Sequence, residues 1–155
     1  MTTVDQSIAQ TEQALRQEGR TRMAGATINF LKKHAPFNKM TSDALLDFAQ
    51  QSQIAFYPAG STIVGPESGN VRYFYWIESG KVQARQAGEV TVTEYSILSL
   101  SAGESFPIGA VTAGRPSTNH YLAVGDTFCY QLPAEDFMVL MTTSPEFSLF
   151  CTQYI

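Results

Sequence analysis

Apolar positions along this chain change period once near the start and again near the end. Residues 4–24 set Val4, Ile8 and Leu15 among Gln, Glu and Arg, a sparse helical period with too few apolar positions for a core helix. This arm is expected to pack on a neighbouring surface or to fray. Gly25 interrupts it, and Ile28, Phe30 and Leu31 follow before Ala35-Pro36 closes the helical possibility, because the residue before proline avoids the α region. A second short helix is predicted next, capped by Thr41 or Ser42, with Asp43 in its first turn and Leu45, Leu46, Phe48 and Ala49 on one face.

From Gln53 the period becomes two, and turn residues recur at Pro58-Ala-Gly60, Gly65-Pro66, Gly69-Asn70, Ser79-Gly80, Gly88, Ala102-Gly103, Gly114 and Gly125-Asp126. Between them lie IAFY, STIV, VRYFYWIES, KVQAR, VTVTEYSILSL, YLAV and TFCYQL. Short strands at this spacing predict a sandwich, barrel or jelly roll rather than a parallel sheet with crossover helices. In VRYFYWIES both alternating faces are apolar, Tyr73, Tyr75 and Ile77 against Phe74 and Trp76, so the strand is expected to be covered on both sides, with the helices as cover. Pro133 fits the first turn of a helix carrying Phe137, Val139, Leu140 and Met141, and Ser144-Pro145-Glu146 restarts one through Phe147, Leu149 and Phe150. The expected architecture is mainly β with flanking helices: an N-terminal helical arm at 1–27, then one domain over 28–155.

Composition narrows the function classes. The 155 residues are 44% hydrophobic with a net charge of −4, which fits a single core. No Lys/Arg run clusters the cations that a nucleic-acid surface needs, and Arg20, Arg22, Lys32 and Lys33 read as a solvated helix face. No apolar run approaches a membrane span and the polar N-terminus lacks the features of a secretory signal, so the expected compartment is the cytoplasm. Cys129 and Cys151 read as buried free thiols. His34 and His120 are too few for a metal-centred barrel, no nucleophile turn is present, and neither catalysis nor a cofactor is expected.

Small residues dominate Gly103–Asn119, GESFPIGAVTAGRPSTN, which has the composition of a loop that lets a ligand approach the backbone. Four segments in order, FYPAGSTIV, YFYWIESGKVQA, LSAGESFPIGAV and YLAVGDTFCYQLPAEDF, resemble the cyclic-nucleotide-binding domain family from about Phe30 onward. They carry a Pro-x-Gly turn, an Ile-x-x-Gly-x-Val hairpin at Ile77–Val82, a Gly-Glu pair opening the phosphate-binding cassette at Gly103-Glu104, and a Leu-Pro-x-x-x-Phe helix start at Leu132–Phe137. The resemblance implies a cyclic-nucleotide-binding-like β-jelly roll with N- and C-terminal helices, acting as a regulatory module whose output passes through those helices.

That family's ligand chemistry rests on a Glu for the ribose 2′-hydroxyl and an Arg for the cyclic phosphate. Aligning its cassette pattern puts Ile108 at the Glu position and Ser117 at the Arg position, followed by Thr118 and Asn119, so both groups are missing. Loss of a charge-assisted clamp of this kind costs about 2–5 kcal/mol, and at ~1.4 kcal/mol per decade micromolar binding falls towards millimolar. Pro107 also removes one N–H from the turn, whereas Ile108, Gly109 and Ala110 keep theirs. Arg115, two residues before Ser117, either swings into the vacated space or stays in solvent. Ser105, Ser117, Thr118 and Asn119 either meet a differently built ligand or tie the loop to itself.

The candidate ligand-binding set is therefore Gly103, Glu104, Ser105, Phe106, Ile108, Gly109, Ala110, Val111, Arg115, Ser117, Thr118 and Asn119, for a nucleotide or another small molecule. ESFPIGAV, GRPST and TFCYQLPAEDF are further similar to N-terminal regulatory domains of bacterial signalling proteins that continue into a CBS-domain pair and a nucleotidyltransferase-like domain. That similarity implies downstream partner domains in a longer chain. A homodimer, and a protein-interaction or assembly domain without a small-molecule ligand, remain the alternatives.

Overall fold

The computed structural model describes residues 10–11, 25–86 and 97–153. The residues of the expected arm between 12 and 24 and the Gly88 turn with the strand start at 90–96 lie outside it. Residues 25–31 are helical (α1) and run across the expected boundary at 27/28. A short 3-10 turn at Phe37–Lys39 leads to α2 (Ser42–Gln51), where the Thr41 side chain accepts from the Ala44 N–H and Asp43 sits in the first turn.

Among the described residues eight strands follow: β1 Gln53–Tyr57, β2 Thr62–Val64, β3 Tyr73–Ser79, β4 Lys81–Gln86, β5 Ile97–Ser101, β6 Ser105–Phe106, β7 Asn119–Ala123 and β8 Thr127–Pro133. They form two antiparallel four-stranded sheets in the orders β1-β8-β3-β6 and β2-β7-β4-β5. Helix α3 (Ile108–Ala113) interrupts the strands, and α4 (Ala134–Thr143) and α5 (Pro145–Thr152) close the domain. Alternation and turn spacing left sandwich, barrel and jelly roll open, and the jelly roll with helices before and after it is the one that the resemblance implies.

β3 explains why both layers hold. Phe74, Tyr75, Trp76 and Ile77 are all buried, so the strand is covered on both faces as its sequence requires. On the helix side, Phe74 packs on Phe137 of α4 (5.1 Å between ring centroids) and Phe147 of α5 (5.6 Å), while Trp76 packs on Phe37 (4.6 Å) and Phe30 (4.9 Å). On the inner side Tyr75 stacks on Phe106 (5.2 Å), which stacks on Tyr121 of the second sheet (4.6 Å). An aromatic column thus joins the two sheets through the barrel interior.

Several local expectations change. Helix α1 ends at Leu31, before Ala35-Pro36, because the chain turns there to bury Phe37. Leu46, Val139 and Leu149 lie on solvent-facing sides, since Leu45, Phe48, Phe137, Leu140 and Phe147 already fill the interface between helices and sheet. Pro133 ends β8 and serves as the N-cap residue of α4, while Ser144 caps α5 by accepting from the Phe147 N–H at 3.4 Å.

Candidate functional site

The β5–β6 turn sets the position of everything after it. Gly103 adopts φ +89°, a left-handed conformation that side chains rarely take. Its N–H donates to the Ile77 carbonyl at 2.8 Å, and its own carbonyl accepts from the Trp76 indole Nε1 at 2.9 Å. The His34 imidazole occupies the place that a Gly103 side chain would need. Glu104 turns its carboxylate back to accept from the Ser101 N–H at 3.0 Å, and its carbonyl accepts from Ile77 N–H at 3.0 Å. Gly103 and Glu104 therefore fasten the turn to β3.

Beyond β6, where Ser105 and Phe106 pair with Trp76 and Tyr75, Pro107 starts α3 and Gly114 stops it in the left-handed region at φ 64°, ψ 36°. The stretch expected to be a loop is thus a short strand and a six-residue helix. The Pro and Gly that gave it a loop composition serve as the helix start and stop. Arg115 N–H donates to Ala110 carbonyl at 3.1 Å, and Val71 N–H donates to Arg115 carbonyl at 3.2 Å. Those two bonds, with a bridge between Asn70 and Pro116, hold the strap that leads into β7.

Between β5, β6, α3 and β7 lies a cavity of about 290 Å³. Ser105, Phe106, Ile108, Gly109, Ala110, Arg115, Ser117, Thr118 and Asn119 line it, all from the candidate set. Gly103, Glu104 and Val111 do not: the first two belong to the turn, and Val111 is buried in the core. The wall also contains Pro107, already placed in the turn from the sequence, and Leu98 and Leu100 of β5 and Tyr121 of β7, which sequence reasoning missed. The alternation in NHYLA, which sends Tyr121 inward, was the available signal for one of them.

The polar groups on the wall divide into satisfied and free. Ser117, which the sequence resemblance aligns with that family's Arg, is 3% exposed; its Oγ donates to Asn119 carbonyl at 2.7 Å and accepts from Asn119 N–H at 3.2 Å. The hydroxyl closes its own loop. The Asn119 side chain and the Tyr121 hydroxyl bond each other, and burial raises the Tyr121 pKa above its ordinary value. Ile108, which the resemblance aligns with that family's Glu, is 6% exposed and apolar. Among the described residues Arg115 is the only charged side chain on the wall; it is exposed to solvent and makes no ion pair with any of them. Among the described residues the wall thus offers one guanidinium, the hydroxyls of Ser105 and Thr118, and apolar surface, without a carboxylate.

Among the described residues no three His, Cys, Asp or Glu side chains gather as metal ligands, and no helix is long and apolar enough to cross a membrane. His120, between Asn119 and Tyr121 in β7, lies 3.6 Å from Glu67 and does not line the cavity.

Comparison with known proteins gives the class. The sequence matches the family described as cyclic nucleotide-binding domain over residues 54–144. No curated protein sequence matches it. The structure is similar to the regulatory domain of Toxoplasma gondii PKA solved with cAMP, with a TM-score of 0.74 at 20% identity over 86% of this chain and 50% of that one. It is similar to a putative cyclic nucleotide binding protein from Ruegeria pomeroyi, with a TM-score of 0.66 at 16% identity over 84% and 57% of the two chains. The sensor domain of the transcriptional regulator DNR from Pseudomonas aeruginosa gives 0.65 at 14% identity, over 79% and 85%. The chain spans half the length of the Toxoplasma structure. This chain belongs to the cyclic nucleotide-binding domain family, whose members' domains are regulatory and not catalytic.

Proposed function

We propose that this chain is a ligand-sensing regulatory module of a bacterial signalling protein, and that its cassette does not hold cAMP or cGMP in the family's usual way. One observation carries the reading: Ser117, in the place of the phosphate-binding Arg, is buried with its hydroxyl committed to Asn119. A buried serine that is already paired offers a cyclic phosphate neither charge nor a free donor. The retained scaffold is what makes a sensor rather than an inert barrel the better reading. The turn, β6, α3 and a cavity of about 290 Å³ persist around the missing clamp.

The output route is through the helices. Helix α3 touches α4, and α4 and α5 send Phe137 and Phe147 onto Phe74 of β3. A ligand under α3 shifts those helices only if it binds two of their arrangements with different affinity. In the signalling context that the sequence resembles, the recipient is a CBS-domain pair with a nucleotidyltransferase-like domain in a longer cytoplasmic chain. Titrating cAMP and cGMP while following the backbone amide shifts of residues 103–119 tests the degenerate-pocket reading. Small, unsaturated shifts up to millimolar nucleotide are expected; saturation in the micromolar range contradicts it.

A second reading, an assembly domain, has one observation in its favour. Ile54, Phe56 and Phe128 are 44%, 49% and 40% exposed on adjacent strands β1 and β8, an apolar row on an edge of the sheet. Sedimentation decides it, since a chain that remains monomeric across the accessible concentrations removes self-assembly.

A further inference from the structure

We infer that the cavity selects a monoanionic organic acid with an apolar body, gripped by Arg115, in place of a ribose phosphate. The inference rests on the reading of this cavity as the ligand site and names the class of ligand. Three features of the wall carry it. First, among the described residues Arg115 contributes the wall's sole charge and has no ion-pair partner, so one anionic group can be neutralised and a cation is repelled. Second, no carboxylate of the described residues lines the wall, so nothing charged among them is placed to accept from a vicinal diol. Third, Leu98 is 62% exposed while facing this cavity, beside the buried Leu100 and Ile108. An apolar wall open to water gains by being covered, and an apolar ligand body covers it.

The guanidinium suits a planar carboxylate or a sulfonate through parallel N–H donors, and the free hydroxyls of Ser105 and Thr118 can donate to the remaining oxygens. A polyol or a sugar phosphate would instead leave its hydroxyls against leucine and isoleucine, unpaired, at the desolvation cost that buried polar groups carry.

The test uses two fluorescent probes of nearly the same shape: anilinonaphthalene sulfonate, a monoanion with an aromatic body, and its neutral counterpart phenylnaphthylamine. Each is titrated into the chain and into Arg115→Gln, an exposed position where the fold is expected to survive, with amide shifts of residues 105–121 locating the bound probe. The expected result is that the sulfonate binds in the cavity and loses about ten- to a hundredfold in affinity in the variant, as loss of a charged hydrogen bond implies, while the amine is unchanged. If both probes shift the cavity amides but Arg115→Gln weakens neither, or only the amine binds, the anion preference is overturned and the cavity remains a ligand site. If neither probe shifts those amides, the ligand-site reading itself fails and the inference falls with it.

Discussion

Replacing Gly103 with alanine tests how the cassette is held in place. The new methyl must exist at φ +89°, which costs an L-residue about 1–2 kcal/mol. It would also stand 2.6 Å from Cε1 and 2.7 Å from Cγ of His34, whose ring is further hemmed by Phe30 (5.0 Å) and Trp76 (5.8 Å). Overpacking of that kind adds about 1–3 kcal/mol, so Gly103→Ala is expected to destabilise by about 2–5 kcal/mol in all. In urea, with a slope of about 2 kcal/mol per molar, the midpoint falls by roughly 1–2.5 M. A double-mutant cycle separates the two parts. In a His34→Ala background the steric part disappears, and Gly103→Ala should cost only the backbone part of about 1–2 kcal/mol. A single variant that loses under about 1 kcal/mol, or an identical loss in both backgrounds, refutes the picture of a turn locked between β3 and the N-terminal helical segment.

The remaining predictions concern the helices and the buried ionisable groups. Phe147→Ala, at a fully buried ring packed on Phe74 and Phe137, is expected to cost about 3–5 kcal/mol in chemical denaturation. Leu149→Ser, two residues on but 71% exposed, should stay within about 0.5 kcal/mol; a loss comparable to that of Phe147→Ala would mean that Leu149 is covered in solution. Ser144→Ala removes the cap on the Phe147 N–H and should cost about 1 kcal/mol. Burial pushes the Cys129 and Cys151 thiols from 9.0 up to about 12, and it also raises Tyr57, Tyr75 and Tyr121. The unfolded chain gives up these protons first as pH rises, so the stabilisation is complete below about pH 9 and is lost progressively towards pH 12. Denaturation midpoints across that range check the sign, and both thiols should react with a disulfide reagent only after unfolding.

Much of the fold was legible because its signals are local. Thr41 and Ser144 as caps, the turns at Gly60 and Gly80, and the double-sided apolar pattern of Phe74 to Ile77 each state a backbone or burial requirement within a few residues. Sequence could not show which apolar residues would be surplus. Leu46, Val139 and Leu149 fit a helical stripe, but only tertiary packing decides that Leu45, Leu140 and Phe147 take the space. The site was legible where it is contiguous, from Ser105 to Asn119, and illegible where it is assembled from distant strands, as with Leu98, Leu100 and Tyr121. His34 against Gly103 belongs to the same class, a contact between residues 69 positions apart that no local pattern records. The position of Arg115, left open between cavity and solvent, is both: it lines the cavity and remains exposed.

The central proposal is that the cassette scaffold persists while the cyclic-phosphate clamp is gone, with Ile108 and Ser117 aligned at the positions of the acid and the cation and the Ser117 hydroxyl bonded to Asn119. Isothermal titration of the chain with cAMP and cGMP at low salt tests it most directly. The account predicts no saturable heat below roughly millimolar nucleotide. Stoichiometric binding of either nucleotide in the micromolar range would contradict it.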